Sequence, residues 1–196
     1  MAFIDTIPDA EVDEQVRAMY ERQASFWGFV PNYAKVFCYR PEIMGLWAQL
    51  QAGIKKSMAD KRRYELVTFA AANALRSTLC SLAHGKTLTE FFPNEAVQAM
   101  ARGEAPADLT AAEAEMMKFA RKVGRDASSV TREDVLRLKE LGFSDAEVFD
   151  IAAAASARAF FSKLVDSLGV TAEHSLLGLD QEFKRTMAVG RPVEFV

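Results

Sequence analysis

Residues 65–84 read Glu65-Leu66-Val67-Thr68-Phe69-Ala70-Ala71-Ala72-Asn73-Ala74-Leu75-Arg76-Ser77-Thr78-Leu79-Cys80-Ser81-Leu82-Ala83-His84. Apolar positions in this run recur at helical spacing with no period-2 alternation, and alanine, the best helix former, fills its middle. Almost the whole chain keeps that rhythm, and no proline interrupts residues 107–191. Helix starts are legible. Thr110-Ala111-Ala112-Glu113 and Ser144-Asp145-Ala146-Glu147 fit the capping box, Thr131 with Asp134 is a weaker form, and Asp60 can cap the helix that carries Glu65. Gly28, Gly103, Gly124 and Gly142 each end a periodic run. The pattern predicts helices over 9–25, 41–57, 60–75, 78–91, 94–102, 111–123, 132–141, 145–160, 162–168 and 172–187. The expected fold class is all-α.

The chain also matches itself. A shift of 85 residues sets the run Glu65–Leu75 over Asp150-Ile151-Ala152-Ala153-Ala154-Ala155-Ser156-Ala157-Arg158-Ala159-Phe160, acid on acid, with a charged cap, Asp60 or Asp145, ahead of each copy. The shift puts Ser77 on Ser162, Cys80 on Val165 and His84 on Gly169, so only the first copy keeps a sulfur and an imidazole. The 196 residues are therefore read as one helical domain of two related halves, about 10–105 and 106–180, with a tail at 181–196. The second copy is expected to be scaffold.

Composition narrows the function classes. With 24 basic against 27 acidic residues, the net charge near −3 offers no electrostatic footprint for nucleic acid. No stretch reaches the roughly 18–20 apolar residues of a membrane span, and Met1-Ala2-Phe3-Ile4-Asp5 does not look like a signal peptide. Cys38 and Cys80 make no disulfide framework, which points to a reducing, cytoplasmic setting. His84 and His174 leave little material for a metal cage, and no metal or cofactor is expected. An apolar fraction of 50% and an apolar end, Phe195-Val196, suggest a homo-oligomer. The aromatic stretch Phe26-Trp27-Gly28-Phe29-Val30-Pro31-Asn32-Tyr33 reads as a turn whose rings pack on the core, or else as a wall of a pocket or subunit contact.

One cluster could carry chemistry. Ser77, Cys80 and His84 at i, i+3, i+7 share a helix face. With Ser77 as cap, Cys80 would occupy the third helical position, where free N–H groups and the macrodipole favour an anion. Glu65 lies about 18 Å of helical rise from Ser77, so it reaches the site only if the chain breaks near Arg76 to Thr78 and doubles back. A carboxyl buried in this apolar run would hold its proton more tightly and could then act as an acceptor. Duller readings stand beside these: Cys80 as packing, Ser77 as a cap only, Glu65 as a solvated partner of Lys61 or Arg62, Cys38 as core, His174 as surface.

Glu65, eleven residues, then Ser77-x-x-Cys80-x-x-x-His84 resembles the motif of the alkylhydroperoxidase D / carboxymuconolactone decarboxylase superfamily, whose redox branch has cysteine where Ser77 stands. Gly28-Phe29-Val30-Pro31-Asn32 and Leu168-Gly169-Val170 are similar to its two-repeat peroxidase-related members, over about residues 10–175. The resemblance implies a duplicated all-helical core, assembly into dimers, trimers or hexamers, and antioxidant thiol chemistry. Cys80 would be the reactive thiol, with Glu65 and His84 as proton relay. Serine at 77 removes the local disulfide, and Leu79 stands where full-pair enzymes tend to carry a histidine. A one-cysteine cycle is what this implies: a small-molecule peroxide as substrate, Ser77 hydrogen-bonding the sulfur, and a thiol reductant, with Cys38 or an external thiol resolving the sulfenic acid. A non-redox lyase using His84 and Glu65 as acid and base, or a non-catalytic member, are the alternatives.

Overall fold

The computed structural model describes residues 2–173, 176 and 179–192. Among these there is no strand, and ten α-helices form the fold: α1 Glu14–Trp27, α2 Asn32–Val36, α3 Pro41–Ser57, α4 Lys61–Ala74, α5 Thr78–Leu88, α6 Asn94–Ala101, α7 Ala111–Asp126, α8 Arg132–Glu140, α9 Asp145–Ser167 and α10 Gln181–Met187. The all-α expectation holds. Among the described residues no helix is long and apolar enough to cross a membrane.

The caps form as the sequence indicates. Asp13, Asp60 and Asp180 accept first-turn backbone N–H groups, and Thr110–Glu113 and Ser144–Glu147 close reciprocal boxes. Gly28 ends α1 at φ 81°, its N–H donated to Ala24 O, a conformation most side chains resist.

Helix α4 is the axis of the fold. Tyr64 through Ala72 are all buried, and α5, α7 and α9 pack around them. Its alanines present a shallow surface on which neighbours can come close. Gly124 uses that surface: a Cβ there would sit 3.2 Å from Ala71 O and 3.3 Å from Ala71 Cα. Gly124 therefore does not stop α7, as its position suggested. It is a contact glycine inside a helix that runs on to Asp126. Outside this centre, α3 packs on α9, α1 on α3, α8 against α7 and α9, and α6 and α10 against α5.

Three further expectations are corrected. The second half does not repeat the break after α4, because α9 runs unbroken from Asp145 to Ser167 rather than as 145–160 and 162–168. Of the helix expected over 172–187, residues 174, 175, 177 and 178 lie outside the described residues, 172, 173, 179 and 180 are not helical, and α10 begins at Gln181 behind its Asp180 cap. The aromatic stretch packs only partly on the core: Tyr33 meets Phe161 edge-on at 5.3 Å, whereas Phe26 and Trp27 are 76% and 50% exposed. Pro31 there starts the short α2, which helical periodicity could not distinguish from loop in five residues.

Of the tail, Val189 and Gly190 dock on the chain's own α4–α5 turn. Arg76 Nε donates to Val189 O at 3.0 Å, and Gly190 N–H donates to Thr78 Oγ1 at 3.1 Å. His174 and the apolar pair Phe195-Val196 lie outside the described residues.

Candidate active site

The chain breaks where the site needs it to. After Ala74, Arg76 takes a positive φ of 59°, Ser77 becomes the N-cap residue of α5, and α5 turns back along α4. This brings Glu65 and His84 face to face. His84 Nδ1 and Glu65 Oε2 are 2.6 Å apart, and Thr68 Oγ1 lies 3.3 Å from the same nitrogen. Thr68 Oγ1 donates to Tyr64 O at 2.9 Å. Lys61 and Arg62 pair elsewhere, with Glu90 and Glu113, so they do not hold Glu65.

The protonation pattern differs from the sequence expectation. Burial pushes the Glu65 carboxyl up, but the His84 imidazole, with Lys55 and Arg158 farther out, outweighs it and holds Glu65 below its usual 4.5. Burial and the Arg158 charge press His84 below 6.5, against the pull of Glu65. At neutral pH the pair is then a carboxylate accepting Nδ1–H from a neutral imidazole, which leaves Nε2 with its lone pair. Glu65 is no raised acid. It fixes the tautomer of His84.

Cys80 occupies the third position of α5, 2% exposed. Its polar neighbour is not His84, to which no hydrogen bond runs among the described residues. It is Arg158 of α9, whose Nη1 lies 3.8 Å from Sγ. Ser77 Oγ is buried without a hydrogen-bond partner and does not bond the sulfur; the Asp166 carboxyl of α9, raised by burial, faces it. Cys38 sits in the core, its sulfur accepting Ile7 N–H at 3.4 Å, and both thiols are free. Among the described residues no three His, Cys, Asp or Glu side chains form a cluster able to hold a metal.

A cavity of about 50 Å³ adjoins the start of α5, lined by Phe3, Thr78, Leu79, Asp166 and Arg191 and not by Cys80. A much larger cleft, about 780 Å³, runs along α7 past Met117, Arg121 and Arg125 and touches none of Glu65, Cys80 or His84.

Solved structures share this arrangement of helices. One is an uncharacterized peroxidase-related protein from Ralstonia eutropha JMP134 described as an alkylhydroperoxidase AhpD core; it is 23% identical, with 97% of this chain and 98% of that one covered at a TM-score of 0.73. Another, an uncharacterized peroxidase-related protein from Silicibacter sp. TM1040, is 18% identical over 90% and 94% of the two chains, TM-score 0.78. The chain has the alkylhydroperoxidase D-like fold. Also sharing it, at 15% identity, 91% and 95% coverage and a TM-score of 0.72, is a cysteine-to-alanine variant of the debrominase Bmp8 in complex with 2,3,4-tribromopyrrole. No protein-family model and no curated protein matches the chain.

Within this alkylhydroperoxidase D-like fold, two polar residues at the site escape a motif reading. Thr68 is one helical turn from Glu65, a spacing that could have suggested it. Arg158 had a stronger signal: it is the sole charge among residues 151–162, in the middle of an alanine run. Its presence at the site corrects the scaffold role expected of the second half.

Proposed function

We propose that the protein is a thiol-dependent peroxidase of the one-cysteine kind, with Cys80 as its nucleophile. The observation that carries this is the Glu65–His84 pair, 2.6 Å apart and part-buried, held on the same two-helix turn that puts Cys80 in a helix's first turn. The likeness to peroxidase-related structures supports the reading.

In the proposed cycle Cys80 reacts as the thiolate, attacking the nearer oxygen of a hydroperoxide, and His84 Nε2 relays the proton. The S–O bond forms as the O–O bond breaks; sulfur is oxidised, the peroxide is reduced, and the departing alkoxide or hydroxide recovers the proton. An external thiol then condenses with the sulfenic acid, releasing water, and a second thiol frees Cys80. The two thiols are free and unbridged, and the Cys38 sulfur accepts Ile7 N–H, so the proposed cycle takes its resolving thiol from outside. The cycle suits a reducing compartment such as the cytoplasm.

The test is intact-mass spectrometry after a brief, near-stoichiometric peroxide pulse with a sulfenic-acid trap present. The expected result is one adduct, lost in Cys80→Ser and kept in Cys38→Ser. No adduct on the wild type would overturn the reading. The debrominase likeness favours a second substrate for the same thiol, a halogenated aromatic. There Cys80 would take the halogen from carbon as a sulfenyl halide, a proton would replace it, and two external thiols would return the thiolate, a disulfide and halide.

The chain is further proposed to assemble with itself. Ile43, Leu46 and Leu50 of α3 and Phe149 and Phe160 of α9 are exposed on helices that pack together. Leu46 is 63% and Phe149 72% exposed, and Ile43, Leu46 and Leu50, at i, i+3 and i+7, share one face of α3 that a second copy would cover. Sedimentation should show a species heavier than one chain, shifted toward monomer by Leu46→Glu; a single-chain mass at all concentrations would overturn this.

A further inference from the structure

We propose that Arg158 is the charge partner of Cys80, a guanidinium built into α9 to hold the sulfur as thiolate. Arg158 is 4% exposed, so its charge has been taken out of water at a cost of several kcal/mol unless something compensates. Among the described residues no carboxylate ion-pairs with it, and its Nε–H is buried without a partner. Nη1 is spent on Cys80 Sγ at 3.8 Å, and the plane lies 5.8 Å from the Trp47 ring and 5.4 Å from the Phe161 ring. A neutral thiol would leave this cation with the Tyr64 hydroxyl, two ring faces and the Glu65 charge acting on it, but with no anion in contact. A thiolate would answer it, with the N-terminal dipole of α5 on its other side.

The orphan polar atoms fit the same picture. Among the described residues the buried side-chain atoms without a hydrogen-bond partner are Asn73 Oδ1, Ser77 Oγ, Arg158 Nε and Ser162 Oγ, with the Asp166 carboxyl beside Ser77. These atoms fall into two pairs, each 85 residues apart, the offset at which the sequence matches itself. At the first of these positions one half carries a neutral amide and the other the cation. Arg158 and Ser162 are one turn apart on α9, so the helix that lost the sulfur and imidazole contributes the charge.

Other ionisable groups surround this pair. Glu65 and Tyr64 of α4, His84 of α5, Lys55 of α3 and Tyr33 of α2 all act on Arg158 or on the groups beside it. Glu65 accepts a hydrogen bond from the neutral His84 at 2.6 Å and keeps its charge, which acts on Arg158 without forming an ion pair with it.

The inference concerns the same thiol as the peroxidase reading, but its test does not depend on turnover. Thiolate ultraviolet absorbance is measured across a pH series as the difference between chains with and without Cys80, all carrying Cys38→Ser, in Arg158, Arg158→Lys and Arg158→Met backgrounds. This needs no reagent to reach the buried sulfur. At neutral pH the thiolate signal is expected to fall at least about fivefold in Arg158→Met and to recover at alkaline pH, with Arg158→Lys intermediate. Identical titrations in the three backgrounds would overturn the proposal, as would a wild type whose signal appears only at alkaline pH. Should Arg158→Met fail to fold by circular dichroism, Arg158→Lys against wild type decides on the same criterion. A signal that depends on Arg158 in a protein that consumes no peroxide would sink the peroxidase reading alone. Peroxide consumption with a signal indifferent to residue 158 would sink this inference alone.

Discussion

Cys80→Ala is expected to lower hydroperoxide turnover by about a thousandfold or more, in a protein that still folds. The sulfur is the one atom at the site that can take oxygen from a peroxide and give it up again to a thiol. Serine at position 77 offers no substitute, because a hydroxyl is not oxidised in this way, and Cys38 is buried against Ile7. Stopped-flow peroxide consumption with excess thiol measures the loss. His84→Ala should cost less, about a hundredfold, because it removes a proton acceptor and leaves the nucleophile. The order of the two effects is diagnostic. Activity on a carboxylated substrate that survives Cys80→Ala and vanishes in His84→Ala would replace the peroxidase reading with acid–base lyase chemistry.

Glu65→Gln is expected to cost about a hundredfold in turnover and to reshape the acid stability of the fold. Gln keeps the shape but cannot stabilise an imidazolium, so His84, already pressed below 6.5 by burial and Arg158, becomes a still weaker base. The sign of the pH effect follows from linkage. His84 is held below its unfolded value, so the unfolded chain takes up a proton near pH 6.5 that the folded chain refuses, and stability falls as pH drops through that value. Glu65 is also held low, so its contribution is present above 4.5 and is lost as pH falls further toward its folded value. Both act in the same direction, toward acid lability. In Glu65→Gln the lower part of the loss disappears, while the part that starts near pH 6.5 deepens. Melting temperatures across that range measure both; an unchanged profile in Glu65→Gln would mean that the pair does not titrate as the geometry dictates.

Much of the fold was legible because its signals are local. Capping boxes at Thr110 and Ser144 are short-range hydrogen-bond patterns written in four residues each, and α3 starts at Pro41 because proline fits the first turn of a helix. The break between α4 and α5 was legible as a serine inside an otherwise continuous helical run, yet Ser77 holds the N-cap position without a side-chain capping bond, and the turn itself is made by Arg76 at φ 59°. The failures concern glycine and length. Gly124 looks like a stop in one dimension, and only the approach of Ala71 from α4 shows that it is a contact point. The second half carries Ser162 where the first has its break at Ser77, yet α9 runs straight through it.

At the site, the sequence by itself determined which residues share a helix face and that Glu65 could meet His84 only across a turn, because helical geometry sets those distances. Whether that carboxyl is protonated was decided by tertiary structure, since the imidazole 2.6 Å away, together with Lys55 and Arg158, outweighs burial. So was the partner of the thiol. Spacing of i, i+4 pointed from Cys80 to His84, but packing turned His84 toward Glu65 and brought Arg158 to the sulfur from 78 residues away. Periodicity along one helix cannot contain such a contact, because it depends on how α5 and α9 lie across each other.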